Sequence, residues 1–162
     1  MISEKMEKAL NEQINEEMYS AYLYLAMSAW FESQNLPGFA AWMKVQMREE
    51  NVHALKLFDF LHERRGRAVL KAIKEPGKDW KSPLAAFEAA SEHEQHITGC
   101  INKLMNLAVA EKDHATAGLL QWFVKEQVEE EAAADRIVQM LKMAANAPGT
   151  LLMLDHAMGE RK

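Results

Sequence analysis

The 162-residue chain is poor in the residues that interrupt or cross-link a fold: one cysteine, seven glycines and four prolines. A single cysteine, Cys100, excludes an internal disulfide framework and is typical of a reducing compartment, so we expect a cytoplasmic protein. No apolar run approaches the roughly 18 residues of a membrane span. The N-terminus also lacks the charged-then-apolar pattern of a signal peptide. The sequence therefore predicts no membrane partner.

The chain also lacks any block of basic residues. It has 24 acidic and 19 basic side chains, for a net charge of −5 with neutral histidines. This balance argues against nucleic acid as the main partner. With 49% apolar and 27% charged residues, the composition is that of an ordinary globular domain with a core. Whether the excess acid is spread over the surface or gathered in one place is then the question.

What the chain does contain is long stretches of strong helix formers between the few breakers. Alanine, leucine, glutamate, lysine and methionine dominate these stretches, and β-branched residues are sparse. Ser82 is a good N-cap because Pro83 follows it at the first helical position. The pattern predicts helices over residues 4–34, 39–65, 83–111 and 115–145, with a short fifth helix near 150–160.

Four long helices in one small chain predict an all-α four-helix bundle. We expect the bundle over residues 1–145, followed by a linker and short C-terminal helix over 146–162. The segment at about 66–82 is long for a bundle connection. Extended, it reaches ~55 Å, more than the ~40 Å length of a 27-residue helix. A long crossover between parallel second and third helices is therefore possible.

Each predicted helix has an apolar stripe that is interrupted by polar residues. Tyr24 interrupts the stripe of the first helix, and Gln46 interrupts that of the second. Every helix also has one carboxylate on the stripe that is expected to be buried. These carboxylates are Glu17, Glu50, Glu94 and Glu130.

Ionised carboxylates rarely lie in a core unless they are paired or bound to metal. The stripes contain no lysine or arginine to pair with them. The alternative is that the helix faces are rotated and the glutamates are solvated, which is easy for one helix and hard for all four. Because Glu50 and His53 lie at i, i+3, the ligand set combines many oxygens with one imidazole. Such a set favours iron or manganese over a structural zinc ion.

Three further glutamates, Glu49, Glu126 and Glu129, flank the core carboxylates on one side of the predicted bundle. The alternative interpretation is a solvated acidic face that also includes Glu131. The remaining histidines share no spacing, so we interpret them as surface or interface residues. Cys100 is most simply a small helix residue.

The chain resembles the bacterial and archaeal non-haem ferritins over essentially its whole length. Four segments carry this resemblance. They are Asn15-Glu16-Glu17 with Ser20-Ala21-Tyr22-Leu23-Tyr24-Leu25, Arg48-Glu49-Glu50 with His53-Ala54, His93-Glu94, and Gln121-Trp122-Phe123-Val124-Lys125-Glu126-Gln127 with Glu129-Glu130.

The resemblance implies a ferritin-like bundle with a di-iron ferroxidase centre inside each subunit. The first iron would be held by Glu17, Glu50 and His53, with Glu50 bridging. The second iron would be held by Glu94 and Glu130, with Gln127 close to the bound oxygen species. Tyr24 resembles the nearby tyrosine that can supply an extra electron. A third iron site would consist of Glu49, Glu126 and Glu129 with help from Glu130.

The resemblance further implies a hollow shell of 24 identical subunits that oxidises Fe(II) with dioxygen or peroxide and stores ferric mineral. The short C-terminal helix would line the four-fold axis of that shell. Haem is not expected, because bacterioferritins have a methionine directly after the second-helix ligand, where this chain has Asn51. Two rivals stay open: a di-iron or di-manganese peroxidase or catalase, and a structural bundle whose polar core only sets register.

Overall fold

A computed structural model describes all 162 residues, and it contains five helices and no strand. The predicted all-α fold is therefore confirmed, with helix ends within about two residues of the expected positions. The helices are α1 (Glu4–Ser33), α2 (Pro37–Glu63), α3 (Pro83–Ala110), α4 (His114–Met143) and α5 (Pro148–Met158). No helix combines the length and the apolar character that crossing a membrane would need.

Short polar side chains start three of the helices, because they accept hydrogen bonds from otherwise unpaired backbone amides. Ser3 accepts from Met6 N at the start of α1, and Ser82 accepts from Ala85 N at the start of α3. Helix α2 instead begins at Pro37, which needs no amide partner at that position. This explains why α2 starts two residues earlier than the sequence pattern predicts.

The first three helices are each followed by a residue in the left-handed backbone region. These residues are Asn35 (φ 58°), Arg65 (φ 62°) and Lys112 (φ 55°). A left-handed residue reverses the chain within a few positions. Because Arg65 adopts this conformation, α2 ends two residues before the predicted end.

Helices α1 and α2 pair in antiparallel fashion, and so do α3 and α4. Ser28, near the end of α1, donates its hydroxyl to the Ala40 carbonyl near the start of α2 at 2.9 Å. Lys142, near the end of α4, lies 3.4 Å from the carboxylate of Glu88 near the start of α3. The two hairpins together make the four-helix bundle.

The connection between the hairpins runs along the whole of α1. Near the start of α1, the Asn11 side chain donates to the Arg67 carbonyl at 2.9 Å and accepts from Val69 N at 2.6 Å. Near the end of α1, the Trp30 and Trp80 rings meet edge to face with centroids 5.8 Å apart. The segment therefore returns the chain to the end where α2 also began. The second and third helices are consequently parallel, as the linker length allows.

The apolar core has two parts, one toward each end of the bundle. One part is built around Phe31, Phe39 and Phe87, whose ring centroids lie 5.2 to 5.7 Å apart. The other contains Leu57 and Phe123 among its fully buried side chains. The level between the two parts is occupied by polar side chains, and this is where the glutamates of the stripes lie.

Helix α5 docks on the start of α2. The buried Asp155 carboxylate accepts a hydrogen bond from Phe39 N at 2.9 Å, which supplies the cap that the α2 sequence itself lacks. Gly38 makes this approach possible, because a Cβ at that position would lie 1.6 Å from the Asp155 carbonyl oxygen. The C-terminal segment is thereby held against the bundle.

We predict that Gly38→Ala lowers the free energy of unfolding by about 1–3 kcal/mol, because the added methyl forces α5 away from α2. The matched control is Gly118→Ala in α4, where nothing lies within 4 Å of the new Cβ. That change removes a helical glycine and should be neutral or stabilising by up to ~1 kcal/mol. Urea denaturation midpoints measure both. A Gly38→Ala protein at least as stable as the control would contradict the docking.

Candidate metal centre

Side chains from all four long helices meet in the polar level of the bundle. Glu17, Glu50 and Glu94 are no more than 2% exposed, Glu130 is 9% exposed, and His53 is 4% exposed. Glu131, by contrast, lies in a partly exposed position. The four stripe carboxylates therefore lie inside the bundle and not on a solvated face. We refer to Glu17, Glu50, His53, Glu94 and Glu130 as the carboxylate layer.

The α1–α2 half of the carboxylate layer forms a compact ligand set. His53 Nδ1 lies 3.2 Å from Glu50 Oε2 and 4.0 Å from Glu17 Oε2. One ligand atom from each of the three residues lies within 4.8 Å of the others. Glu17 Oε1 accepts a hydrogen bond from Gln13 at 2.8 Å, whereas its Oε2 is buried with no hydrogen-bond partner. A buried carboxylate oxygen without a partner is costly unless a cation binds it.

The α3–α4 half is held by hydrogen bonds from neutral groups. The Tyr24 hydroxyl donates to Glu94 Oε1, and Gln127 Nε2 donates to Glu94 Oε2 at 3.1 Å. Gln46 Nε2 donates to Glu130 Oε2 at 2.5 Å. These contacts orient the two carboxylates without neutralising their charge. Gln127 and Tyr24, which the sequence singles out, both contact Glu94 directly.

An acidic cleft of about 510 Å³ opens beside the layer, between α2 and α4. The glutamates that line it are Glu49, Glu126, Glu129 and Glu130. His53 also lines the cleft, and ligand atoms of His53, Glu126 and Glu130 lie within 4.8 Å of one another. The cleft is thus continuous with the carboxylate layer. Arg48 and Arg161 also line the cleft, and Arg161 Nη2 lies 2.6 Å from Glu49 Oε2.

The family model of the ferritin-like domain matches residues 7–144. The chain belongs to the ferritin family. It is 45% identical to a bacterial non-heme ferritin of Bacteroides fragilis, over 99% of this chain and 100% of that protein. A bacterial non-heme ferritin of Campylobacter jejuni is 42% identical, over 96% of this chain and 93% of its own length.

A solved structure of a ferritin from the archaeon Archaeoglobus fulgidus, described as an open-pore form, also matches. It superposes with a TM-score of 0.99 at 52% identity, over all of both chains. The resemblance found in the sequence and the predicted ferritin-like bundle are therefore confirmed.

Burial and mutual repulsion dominate the electrostatics of the carboxylate layer in this ferritin chain. Burial raises the pKa of Glu17, and the neighbouring Glu50 raises it further. Burial and then Glu94 raise the pKa of Glu50, and the same two causes raise that of Glu130 to about 7. No lysine or arginine forms a salt bridge with any carboxylate of the layer, so protons or metal cations must compensate the charge.

The Tyr24 side chain keeps its hydroxyl proton in the folded chain. Burial raises its pKa, and the adjacent Glu94 carboxylate raises it further. The hydroxyl is therefore available as a hydrogen-bond donor to Glu94 at any physiological pH.

Three residues near the site have no function that could be assigned from the sequence. Gln13 contacts Glu17, and its position four residues before Glu17 on the same helix face could have identified it. Gln46 is recognisable as a polar residue on the stripe, but its partner Glu130 lies on a different helix. Arg161 gives no signal at all, because nothing in a short charged tail indicates where it docks.

We predict that the metal-free protein loses stability as pH rises. The Glu130 pKa increases from 4.5 in ordinary surroundings to about 7 in the fold, so its proton contributes fully to stability below pH 4.5, and this contribution is lost as pH rises from 4.5 through about 7. Glu130→Gln should remove on the order of 3 kcal/mol of this dependence. Urea unfolding between pH 5 and 8 with a chelator present measures it. The exposed Glu63→Gln is the control, and equal slopes in both variants would contradict the assignment.

Proposed function

We propose that this chain stores iron, and that it oxidises Fe(II) to Fe(III) at a di-iron site inside each subunit. One observation carries the proposal: a buried Glu17 oxygen without a hydrogen-bond partner faces His53 and Glu50 in a layer of four carboxylates. A polar core that only set helix register would satisfy its own groups internally.

The ligand set fits two iron ions as substrate. Glu17, Glu50 and His53 would hold one ferrous ion, and Glu94 and Glu130 would hold the other, with Glu50 bridging. Four carboxylates balance two divalent cations, so filling the site removes the repulsion that raises the glutamate pKa values. Carboxylate oxygens suit both oxidation states of iron. Because only one ligand is an imidazole, the ions are bound weakly enough to dissociate.

The chain's own groups provide the proton and positioning chemistry. Ferrous binding displaces the protons that the buried glutamates hold, since metal ligands must be deprotonated. Two ferrous ions then give one electron each, and together with two protons these electrons reduce dioxygen to hydrogen peroxide or hydrogen peroxide to water. Gln127 and Tyr24 hold Glu94 in place, and the Tyr24 phenol would give a further electron to the oxidant and its hydroxyl proton to Glu94.

The acidic cleft is the proposed third iron site. Glu49, Glu126 and Glu129 supply carboxylates there, and Glu130 is shared with the carboxylate layer. Continuity through His53 and Glu130 gives an ion a short path between the two sites. Iron oxidised in the layer would pass this way toward the mineral.

We further propose that the chain assembles into a hollow shell of 24 subunits in the cytoplasm. Several large apolar side chains are exposed on the single chain, including Leu152 and Met153 on α5 and Tyr22 and Leu25 on α1. Contacts with neighbouring subunits would cover such surfaces. A shell of 24 chains of 18.4 kDa has a mass of about 440 kDa.

We predict that the double variant Glu50→Ala/His53→Ala abolishes rapid Fe(II) oxidation, because it removes the bridging ligand and the only imidazole of the layer. Stopped-flow absorbance after mixing the anaerobic ferrous protein with dioxygen measures the rate. Glu63→Ala, on the solvent face of α2, is the matched control and should oxidise iron at the rate of the unaltered protein.

The same samples are sized and analysed for metal after aerobic iron loading. A ~440 kDa particle with hundreds of irons supports storage. A small oligomer with one or two irons per chain would instead favour a di-iron peroxidase or catalase. Unchanged oxidation in the double variant would overturn the assignment of the layer.

A further inference from the structure

A second group of metal-ligating side chains lies at the protein surface between α1 and α3, outside the carboxylate layer and the acidic cleft. It consists of Glu16, His96 and Cys100. Glu16 Oε2 lies 3.0 Å from His96 Nε2, and Cys100 Sγ lies 3.6 Å from the same nitrogen. All three ligand atoms lie within 4.8 Å of one another.

Helix geometry explains why these side chains converge. His96 and Cys100 are separated by four residues on α3, so they lie on one face, one turn apart. Glu16 reaches them from α1. In a tetrahedral site with bonds of about 2.0–2.3 Å, ligand atoms lie roughly 3.3–3.8 Å apart. The two contacts, at 3.0 and 3.6 Å, are close to this spacing, so a small shift of these exposed or partly exposed side chains admits an ion.

The chemistry of this group differs from that of the layer. A thiolate, an imidazole and one carboxylate suit Zn²⁺ and other thiophilic divalent ions, whereas the oxygen-rich layer suits iron. We propose that Glu16, His96 and Cys100 form a binding site for a thiophilic divalent cation, with the fourth position open to water. Nearby His93 lies outside this group of ligand atoms, and its Nε2 pairs with the Ser20 hydroxyl at 2.7 Å.

Cobalt(II) alone is a specific probe, because Cys100 is the only cysteine and a thiolate-to-cobalt charge-transfer band can arise nowhere else in the chain. The protein is first freed of metal and reduced, and cobalt(II) is then added. We expect a near-ultraviolet band whose intensity corresponds to about one thiolate-bound cobalt ion per chain. Cys100→Ala should abolish the band, and His96→Ala or Glu16→Gln should weaken the apparent affinity on the order of tenfold. His62→Ala is the control histidine variant.

The band should persist in the Glu50→Ala/His53→Ala protein, so this site is tested independently of the ferroxidase proposal. Absence of a thiolate band at millimolar cobalt would overturn the inference. A band of full affinity in His96→Ala would do so as well.

A separate observation concerns the C-terminal Arg161, which lies along three successive turns of α2. Its guanidinium stacks over the Trp42 ring at 4.6 Å, and Nη1 donates to Gln46 Oε1 at 2.8 Å. Nη2 donates to Glu49 Oε2 at 2.6 Å. Gln46 in turn donates to Glu130 Oε2, so the arginine is linked to the carboxylate layer through one side chain.

Two arginines, Arg48 and Arg161, line the acidic cleft, and only Arg161 forms a salt bridge with one of its glutamates. We infer that Arg161 is an internal counter-ion that competes with metal for Glu49, so that an ion that binds Glu49 must displace the guanidinium. The inference rests on the proposed third site. Because Trp42 and Gln46 also hold the guanidinium, the arginine remains close by after displacement and can return when the ion leaves.

Terbium(III) luminescence tests the competition, because Trp122 lines the cleft and can sensitise a bound lanthanide. Arg161→Ala should bind terbium roughly fivefold more tightly or better, since it frees Glu49 from a charge-assisted contact. The gain should vanish when Glu49→Gln is added. Lys162→Ala removes the neighbouring charge from the same tail and serves as the control.

The outcomes separate the two proposals. If Glu126→Gln and Glu129→Gln leave terbium binding unchanged, the third site is wrong and the role of Arg161 falls with it. If those variants lose binding while Arg161→Ala binds no more tightly than Lys162→Ala, the site stands and the arginine only anchors the tail.

Discussion

The repulsion among four buried carboxylates is the constraint on which the rest of this structure depends. Glu17, Glu50, Glu94 and Glu130 lie in one layer with no lysine or arginine paired to them. Such a layer is tolerable only with bound protons or with cations. The apolar parts on either side supply the packing that holds the layer together. The fold therefore carries a local cost that bound protons or cations would relieve, so the stability of the bundle depends on their binding.

Topology is what brings the carboxylates to one level. The long connection along α1 makes α2 and α3 parallel, and the two short turns make each hairpin antiparallel. Each helix then contributes one glutamate at the middle of the bundle, where Tyr24, Gln46 and Gln127 orient the oxygens. The acidic cleft shares Glu130 with this layer. Seven glutamates in the two sites exceed the net charge of −5, so the acidity of the chain is concentrated here.

Much of the fold and of the candidate site could be predicted, because helix periodicity assigns each residue to a face. The stripe positions of Glu50 and His53 are enough to identify both side chains as buried. The resemblance to ferritins added the roles of Gln127 and Tyr24 and the interpretation of the flanking glutamates as a third iron site. Contacts between distant segments could not be predicted in this way. Asp155 caps α2 and Arg161 pairs with Glu49, and neither contact follows from a periodic pattern.

By itself, the sequence determined the helices, their buried faces and the residue types available to bind metal, because these depend on local propensity and on the 3.6-residue repeat. Only the tertiary structure decided which oxygen atoms are left without partners and which are tied to neighbours. It also decided that Glu16, His96 and Cys100 converge. From the sequence pattern, His96 is predicted only as a surface or interface histidine, and Cys100 only as a small helix residue. Such distances depend on how two helices pack, and packing is a property of side chains that are far apart in the chain.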